Sequence, residues 1–301
     1  MNATTRAWIA AARPRTLPLA LSSIGMGAFL AAGIGQFRWE VLLFSALTTI
    51  FLQILSNLAN DYGDSIHGAD STEREGPSRT VQAGLITAPA MKAAVITFSL
   101  LSLASGICLL YIAFEGFSTT FWLFMGFGLL AIGAAITYTA GNKPYGYMGL
   151  GDVSVLLFFG LLGVGGSFYL HTGFVAASHF LPALSCGLFS VAVLNVNNIR
   201  DMKTDRAAGK ISLPVRLGRK LAVRYHWALL AGGLLASVVY VLFNYESAWQ
   251  WLFLVSTPLI FRNGRAVQVK TQAKELDPYL KQMALSTLVY VLTFGLGNLL
   301  G

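Results

Sequence analysis

The sequence predicts an all-α polytopic membrane bundle of about nine transmembrane helices, and three observations carry that expectation. Charged residues make up only 11% of the 301 residues and apolar residues 55%, whereas a soluble domain has roughly 25% charged residues. Nine apolar runs recur along the chain, all but one near the about 20 residues that a helix needs to cross a bilayer. The basic residues that separate these runs alternate in the way the positive-inside rule demands. A chain this long with so little polar surface is poorly suited to folding in water, and the continuous series of spans points to one membrane domain over residues 1–301.

Taken in order, the spans are Leu17–Gly33, Val41–Ala59, Ala93–Phe114, Thr120–Ala140, Val153–Leu170, Phe180–Val196, His226–Phe243, Ala248–Phe261 and Met283–Leu300. The first follows Arg13 and Arg15 and by itself resembles a signal peptide, but spans of similar hydrophobicity continue to the end of the chain. The eighth is short, carries Pro258 and runs straight into Arg262, Asn263 and Arg265. It either extends past Arg262 with its basic side chains snorkelling to the surface or is re-entrant. Gly160, Gly163, Gly165 and Gly166 in the fifth span suit close helix packing. With the N-terminus inside, 20 of the 21 basic residues fall in inside segments and only Arg38 falls outside. The C-terminus then lies on the opposite side.

The net charge of +8 therefore reads as membrane topology and anion attraction, and no nucleic-acid-binding pattern accompanies it. Cys108 and Cys186 both lie in apolar runs, which argues for buried thiols over a disulfide framework. No spacing of ligating residues suggests zinc or haem. Oligomeric state is not legible.

Two acidic clusters stand out, both on the inside. The first reads Asn57-Leu58-Ala59-Asn60-Asp61-Tyr62-Gly63-Asp64, with Asp70 six residues further on. If the second helix continues through it, Asn57 and Asp61 share a face, as do Asn60 and Asp64. Asp70 must reach in from a loop. The second cluster is Asn198, Arg200, Asp201, Lys203 and Asp205, in which the two carboxylates are four apart and Asn198 precedes Asp201 by one turn. Like charges at that spacing repel, and carboxylates at a helix C-terminus oppose its dipole. A hard cation resolves both problems: magnesium takes oxygen ligands, commonly one or two carboxylates together with substrate phosphates. Arg74, Arg79, Lys143, Arg200 and Lys203, all in inside segments, could neutralise remaining phosphate charge. Solvated loop acids and an intramembrane cation relay are the competing readings.

These clusters resemble the two Asp-rich motifs of the UbiA-type intramembrane prenyltransferases. Arg13-Pro14-Arg15-Thr16-Leu17-Pro18 is similar to the family's approach to its first helix. The stretch from Gly141 to Asp152, the run Asn57 to Asp70 with Gly76, Pro77, Arg79, Gln82 and Gly84, and Asp205-Arg206 with Gly209, Lys210 and Val215 to Gly218 resemble its 1,4-dihydroxy-2-naphthoate branch. The resemblance extends from about Arg13 to the last span. One departure lies in the first motif: the wider family often has a third Asp where this chain has Gly68, and here Asp70 comes two residues later, a spacing the naphthoate branch tolerates.

The resemblance implies a UbiA-like bundle around a central cavity, in the bacterial cytoplasmic (inner) membrane, with its active site facing the cytoplasm. It implies Mg2+ held by Asp61, Asp64, Asp201 and Asp205, with Asp70 as a further ligand, and Asn57, Asn60 and Asn198 ligating or orienting. The partners are a polyprenyl diphosphate, 1,4-dihydroxy-2-naphthoate and the lipid bilayer. Tyr138, Tyr145 and Tyr147 are candidates to face an allylic cation, although Tyr145 and Tyr147 alternatively form an interfacial aromatic belt. Lys143 and Arg79 are candidate partners for the ring carboxylate or the diphosphate. Asp152 is a candidate base for a ring hydroxyl, or a helix N-cap. Sister enzymes acting on 4-hydroxybenzoate or homogentisate share the metal and the donor, and a cation-coupled transporter is the more distant alternative.

Overall fold

The computed structural model describes residues 2–66, 80–175 and 177–301. Among these the chain is helical throughout, with no strand. The first helix, α1 (Ala3–Ala12), is capped by Asn2, whose side chain accepts from the Thr5 amide at 2.8 Å. It ends at Arg13, whose left-handed backbone (φ 49°) breaks the chain direction and leads through a 3-10 turn at Pro14–Thr16 into α2 (Leu17–Gly33). Two long helices follow, α3 (Trp39–Ile66) and α4 (Ala88–Phe114), the latter capped by Thr87. Next come α5 (Thr119–Thr137), capped by Ser118, and α6 (Gly151–Thr172), whose middle, Leu156–Gly166, is wound in wide π turns. The second half comprises α7 (Phe180–Arg200), the short α8 (Met202–Ala207) and α9 (Leu213–Phe243), which Gly218 kinks near its start. A 3-10 segment at Ala248–Ser256 then runs into α10 (Thr257–Val269), and α11 (Ala273–Leu299) closes the fold.

Among the described residues, eight helices are long and apolar enough to cross a membrane. The expected eighth span is the remaining one, built in two pieces. Its helical part continues past Arg262 to Val269, with Arg262 and Arg265 exposed while Asn263 and Gly264 turn inward. The inward face explains this poorly apolar stretch. Asn263 Oδ1 meets the buried His226 Nε2 at 2.9 Å, and Asn263 Nδ2 donates to Gln282 Oε1 at 2.6 Å. Asn195 Nδ2 lies 3.3 Å from His226 Nδ1. Four helices, α7, α9, α10 and α11, are thus stitched through one buried polar chain, in which each interhelical bond is worth about 0.6–2 kcal/mol.

The main core lies between α2, α6, α7, α9 and α11, around Met26, Phe168, Phe189, Phe253, Tyr290 and Phe294. A smaller core of Leu55, Leu58 and Met91 joins α3 to α4 beside α1. Small residues admit the closest approach: a methyl group on Gly160 would come within 3.0 Å of the Gly187 Cα, so α6 and α7 touch backbone to backbone. Gly163 is similarly crowded by Ser23, whereas Gly165 faces open space. The outer surface is apolar, with Leu100, Trp122, Leu130 and Leu242 exposed, and only Phe121 of α5 is buried. Lipid is the solvent that suits such a surface, and the chain is an integral, multi-spanning membrane protein.

Candidate active site

The first acidic cluster sits on the last turns of α3, which runs unbroken to Ile66 and so places Asn57, Asp61 and Asp64 on one buried face. Each is tied to partners from another segment of the chain. Asp61 is ion-paired with Arg13 and accepts from Thr80 Oγ1 at 3.1 Å. Asp64 accepts from the Tyr147 hydroxyl at 2.7 Å. Asn57 Nδ2 donates to the Ala12 carbonyl at 2.9 Å and to Thr16 Oγ1 at 3.0 Å, fastening the α1–α2 junction to α3. Asn60 accepts from Thr139 Oγ1 at 3.1 Å. Gly63, between the two acids, lies so close to Thr139 that a Cβ there would stand 2.6 Å from its carbonyl.

The second cluster straddles a break. Helix α7 ends at Arg200, and Asp201 (φ −95°, ψ 8°) is both its C-cap and the start of α8, which carries Asp205. Asp201 is gripped by Arg200 through two bonds of 2.7 Å, the bidentate geometry that makes such pairs strong. Asp205 pairs with Lys210 at 3.3 Å. Burial pushes the Asp205 carboxyl above its ordinary range; Lys210 opposes this, while Asp201 and Asp64 add to it. The two clusters, distant in sequence, meet at one end of the bundle, where Asn60 and Asp64 of the first line the same cavity as Asn197 and Lys210 beside the second.

Between them opens a cavity of about 390 Å³. Its polar end is lined by Arg13, Asn57, Asn60, Asp64, Asn197 and Lys210, and its body by apolar side chains including Leu19, Leu52, Phe158, Phe159 and Leu162. Tyr138 and Tyr145 line the join, packed edge to face with centroids 5.3 Å apart. The Tyr145 hydroxyl bridges the Ala134 carbonyl and Ser154 Oγ, both at 3.0 Å. Tyr147 is instead committed to Asp64.

Asp152 lies in the first turn of α6 and is not its cap; that position belongs to Leu150. Its carboxylate accepts from the Tyr225 hydroxyl at 3.2 Å, behind Tyr138, whose hydroxyl crowds the neighbouring Gly151. The glycine-rich stretch before it is shaped to fit. Gly149 adopts φ 77° where a Cβ would meet the Ile211 carbonyl at 2.7 Å, and Ile211 donates its amide to the Tyr147 carbonyl at 2.9 Å. The α5–α6 loop is thereby sewn to the loop that follows the second cluster.

Not every candidate lies at the cavity. Lys143 and Lys203 are exposed and do not line it. Asp70, Arg74 and Arg79 fall at residues 67–79, outside the described residues. Four side chains that the motif reading did not single out for the site belong to it: Arg13, Asn197, Lys210 and, through Arg200, Asp277, which accepts from Arg200 Nη1 at 2.6 Å. Lys210 carried a weak signal, five residues after Asp205 in the loop already matched. Asp277 carried none, since it comes from a helix seventy-odd residues away.

The donor set suits magnesium. Asp205 Oδ2 and Asn198 Oδ1 are buried oxygens without a hydrogen-bond partner, which is costly unless something positive completes them. Among the described residues no three acidic, His or Cys side chains gather at one point. Magnesium commonly takes one or two carboxylates and completes its shell with substrate phosphates.

Comparison with known proteins agrees with this architecture. The model of the UbiA prenyltransferase family matches residues 20–288. The 1,4-dihydroxy-2-naphthoate octaprenyltransferase of Haemophilus influenzae is 46% identical over 100% of this chain and 98% of its own length. Its namesake in Escherichia coli is 46% identical over 97% and 95%. Among solved structures, a UbiA homologue from Aeropyrum pernix superposes with a TM-score of 0.69 at 16% identity, covering 92% of this chain and 96% of that one. Another from Archaeoglobus fulgidus, bound to GPP and Mg2+, gives 0.62 at 17% identity over 96% and 99%. The chain belongs to the UbiA prenyltransferase family.

Proposed function

We propose that this protein transfers a polyprenyl chain from polyprenyl diphosphate to 1,4-dihydroxy-2-naphthoate, releasing diphosphate and carbon dioxide and giving demethylmenaquinone, first as its quinol. The observation that carries this reading is near-full-length similarity, at 46% identity, to two enzymes of that specificity. The cavity supports it with a polar, cation-rich end for a diphosphate and an apolar body for an isoprenoid tail.

Asp61, Asp64, Asp201 and Asp205 would hold magnesium, with Asn198 as a further oxygen donor and Asn57 and Asn60 orienting the first motif. When bound, the metal supplies neutralisation of the charge that develops on the leaving diphosphate. Arg13, Arg200 and Lys210 surround the same end and favour the same charge. As the C–O bond to the diphosphate breaks, positive charge appears at the allylic carbon. The π faces of Tyr138 and Tyr145 stand at that boundary, and the apolar wall behind them keeps water from the cation. The electron-rich ring carbon that bears the carboxylate attacks and forms the new C–C bond. The bond to the carboxylate then breaks, its electron pair restoring the aromatic ring as carbon dioxide leaves. Asp152, which accepts from Tyr225 behind the cavity-lining Tyr138, would be the base that accepts or holds a ring-hydroxyl proton during attack. Lys143 at the surface serves attraction of the anionic substrates better than contact with reacting atoms.

We place the protein in the bacterial cytoplasmic membrane as a single domain, N-terminus and active site toward the cytoplasm and C-terminus opposite, on the alternation of basic residues. Incubating purified protein with the naphthoate, a polyprenyl diphosphate and magnesium tests the reaction through product mass, which reports acceptor, donor and decarboxylation together. A product only with 4-hydroxybenzoate or homogentisate would overturn the acceptor assignment.

A further inference from the structure

We infer that Asp277 is a positioning residue for the second acidic cluster, acting through Arg200 at the centre of a charge chain that starts from Arg15. The inference rests on the proposed reaction for its purpose but on the ion-pair geometry for its content. Arg200, whose side chain is 2% exposed, spends its guanidinium on three partners. Two bonds of 2.7 Å go to Asp201, one of 2.9 Å to Asn197 Oδ1 and one of 2.6 Å to Asp277 Oδ1. Asp277 also accepts from Arg15 Nη1, at 3.1 and 3.3 Å. The order along the chain is Arg15, Asp277, Arg200, Asp201, with alternating sign.

Arg15 is not a casual partner. It shares a 3-10 turn with Pro14 and follows Arg13 by two residues, and Arg13 is the partner of Asp61. Proline fixes the backbone between them, so the two arginines keep a set spacing. One reaches the first cluster directly, and the other reaches the second through Asp277 and Arg200. The turn therefore ties together helix ends that are otherwise separated by more than a hundred residues of sequence.

Asp277 decides how Arg200 divides its charge. With the carboxylate present, the guanidinium is shared between two acids, and Asp201 keeps part of its negative charge for a cation. Without it, Arg15 and Arg200 lose the carboxylate between them, and among the described residues Arg200 keeps Asp201 as its acidic partner, beside the neutral Asn197. Magnesium then competes with a fully committed arginine. The loss should appear in magnesium and diphosphate binding while the aromatic acceptor is recognised as before. Partners of metal ligands typically contribute roughly 10- to 100-fold to metal affinity or activity.

The test uses the full chain in detergent or nanodiscs and follows binding of geranyl diphosphate across a magnesium titration by thermal shift, alongside turnover. Asp277→Asn and Asp277→Ala are expected to raise the half-saturating magnesium roughly 10- to 100-fold and leave the KM for the naphthoate unchanged. Asp277→Glu should recover most of the affinity. Arg15→Gln should shift the titration in the same direction by less. A lowered melting midpoint with an unshifted magnesium titration would make Asp277 a purely structural ion pair and overturn the inference, as would a parallel rise in acceptor KM. Wild-type protein that binds geranyl diphosphate with magnesium yet prenylates no naphthoate would fault the acceptor assignment alone, because the binding arm still measures Asp277.

Discussion

Each of the four central carboxylates is held by a donor of its own: Arg13 for Asp61, Tyr147 for Asp64, the adjacent Arg200 for Asp201 and Lys210 for Asp205. Such pairs hold buried charge in place without magnesium, and they leave the acids poised to exchange a protein cation for a metal. Asp61→Ala or Asp201→Ala should therefore lower turnover by more than about 100-fold, beyond the effect of removing a mere supporting group. Both proteins should still extract from membranes in normal yield, and retained turnover in either would refute the metal assignment. Lys210→Ala acts differently. It leaves Asp205 buried without its cation, which costs about 3 kcal/mol, so the melting midpoint in detergent should fall along with activity.

At the scale of elements, the site depends on three close approaches: α3 against residue 139, the α5–α6 loop against residue 211, and α6 against α7. The first runs through Gly63. Gly63→Ala would drive a methyl group into the Thr139 backbone, and overpacking of this kind costs about 1–3 kcal/mol. The variant should melt earlier and lose more activity than stability alone explains, since Asp61 and Asp64 flank the forced shift. Much of this level was legible beforehand. Hydropathy located the spans, and the three- and four-residue spacing of Asn57, Asp61 and Asp64 put them on one face because α3 does run straight through them. The break at Asp201 was less legible, because four-residue spacing suits a continuous helix equally well; the contact that accompanies it, Arg200 on Asp277, comes from a distant helix. The wide turns of α6 were not legible, because its glycines in an apolar run point equally well to an ordinary helix packed closely on its neighbours. Arg13 at the end of α1 and Asp277 of α11 were hidden for a simpler reason: they are single charged residues 48 and 77 positions from their partners, and only the folded bundle brings them in.

For the whole molecule, one metal requirement and one orientation follow. Excess chelator should stop product formation, and added magnesium should restore it; turnover that persists in chelator would remove the metal from the reaction. Cysteines introduced one at a time by Lys143→Cys and Gly301→Cys should react with a membrane-impermeant maleimide from opposite sides of sealed vesicles, and labelling from the same side would overturn the proposed topology. The cavity has a consequence of its own. At about 390 Å³ it lies near the lower end of pockets that enclose a drug-sized molecule, too little to enclose an aromatic ring and a long isoprenoid together. Most of the tail must then stay dissolved among the acyl chains while its head reacts. The surrounding lipid thus acts as a second half of the substrate pocket, and its thickness and fluidity become kinetic variables of the enzyme.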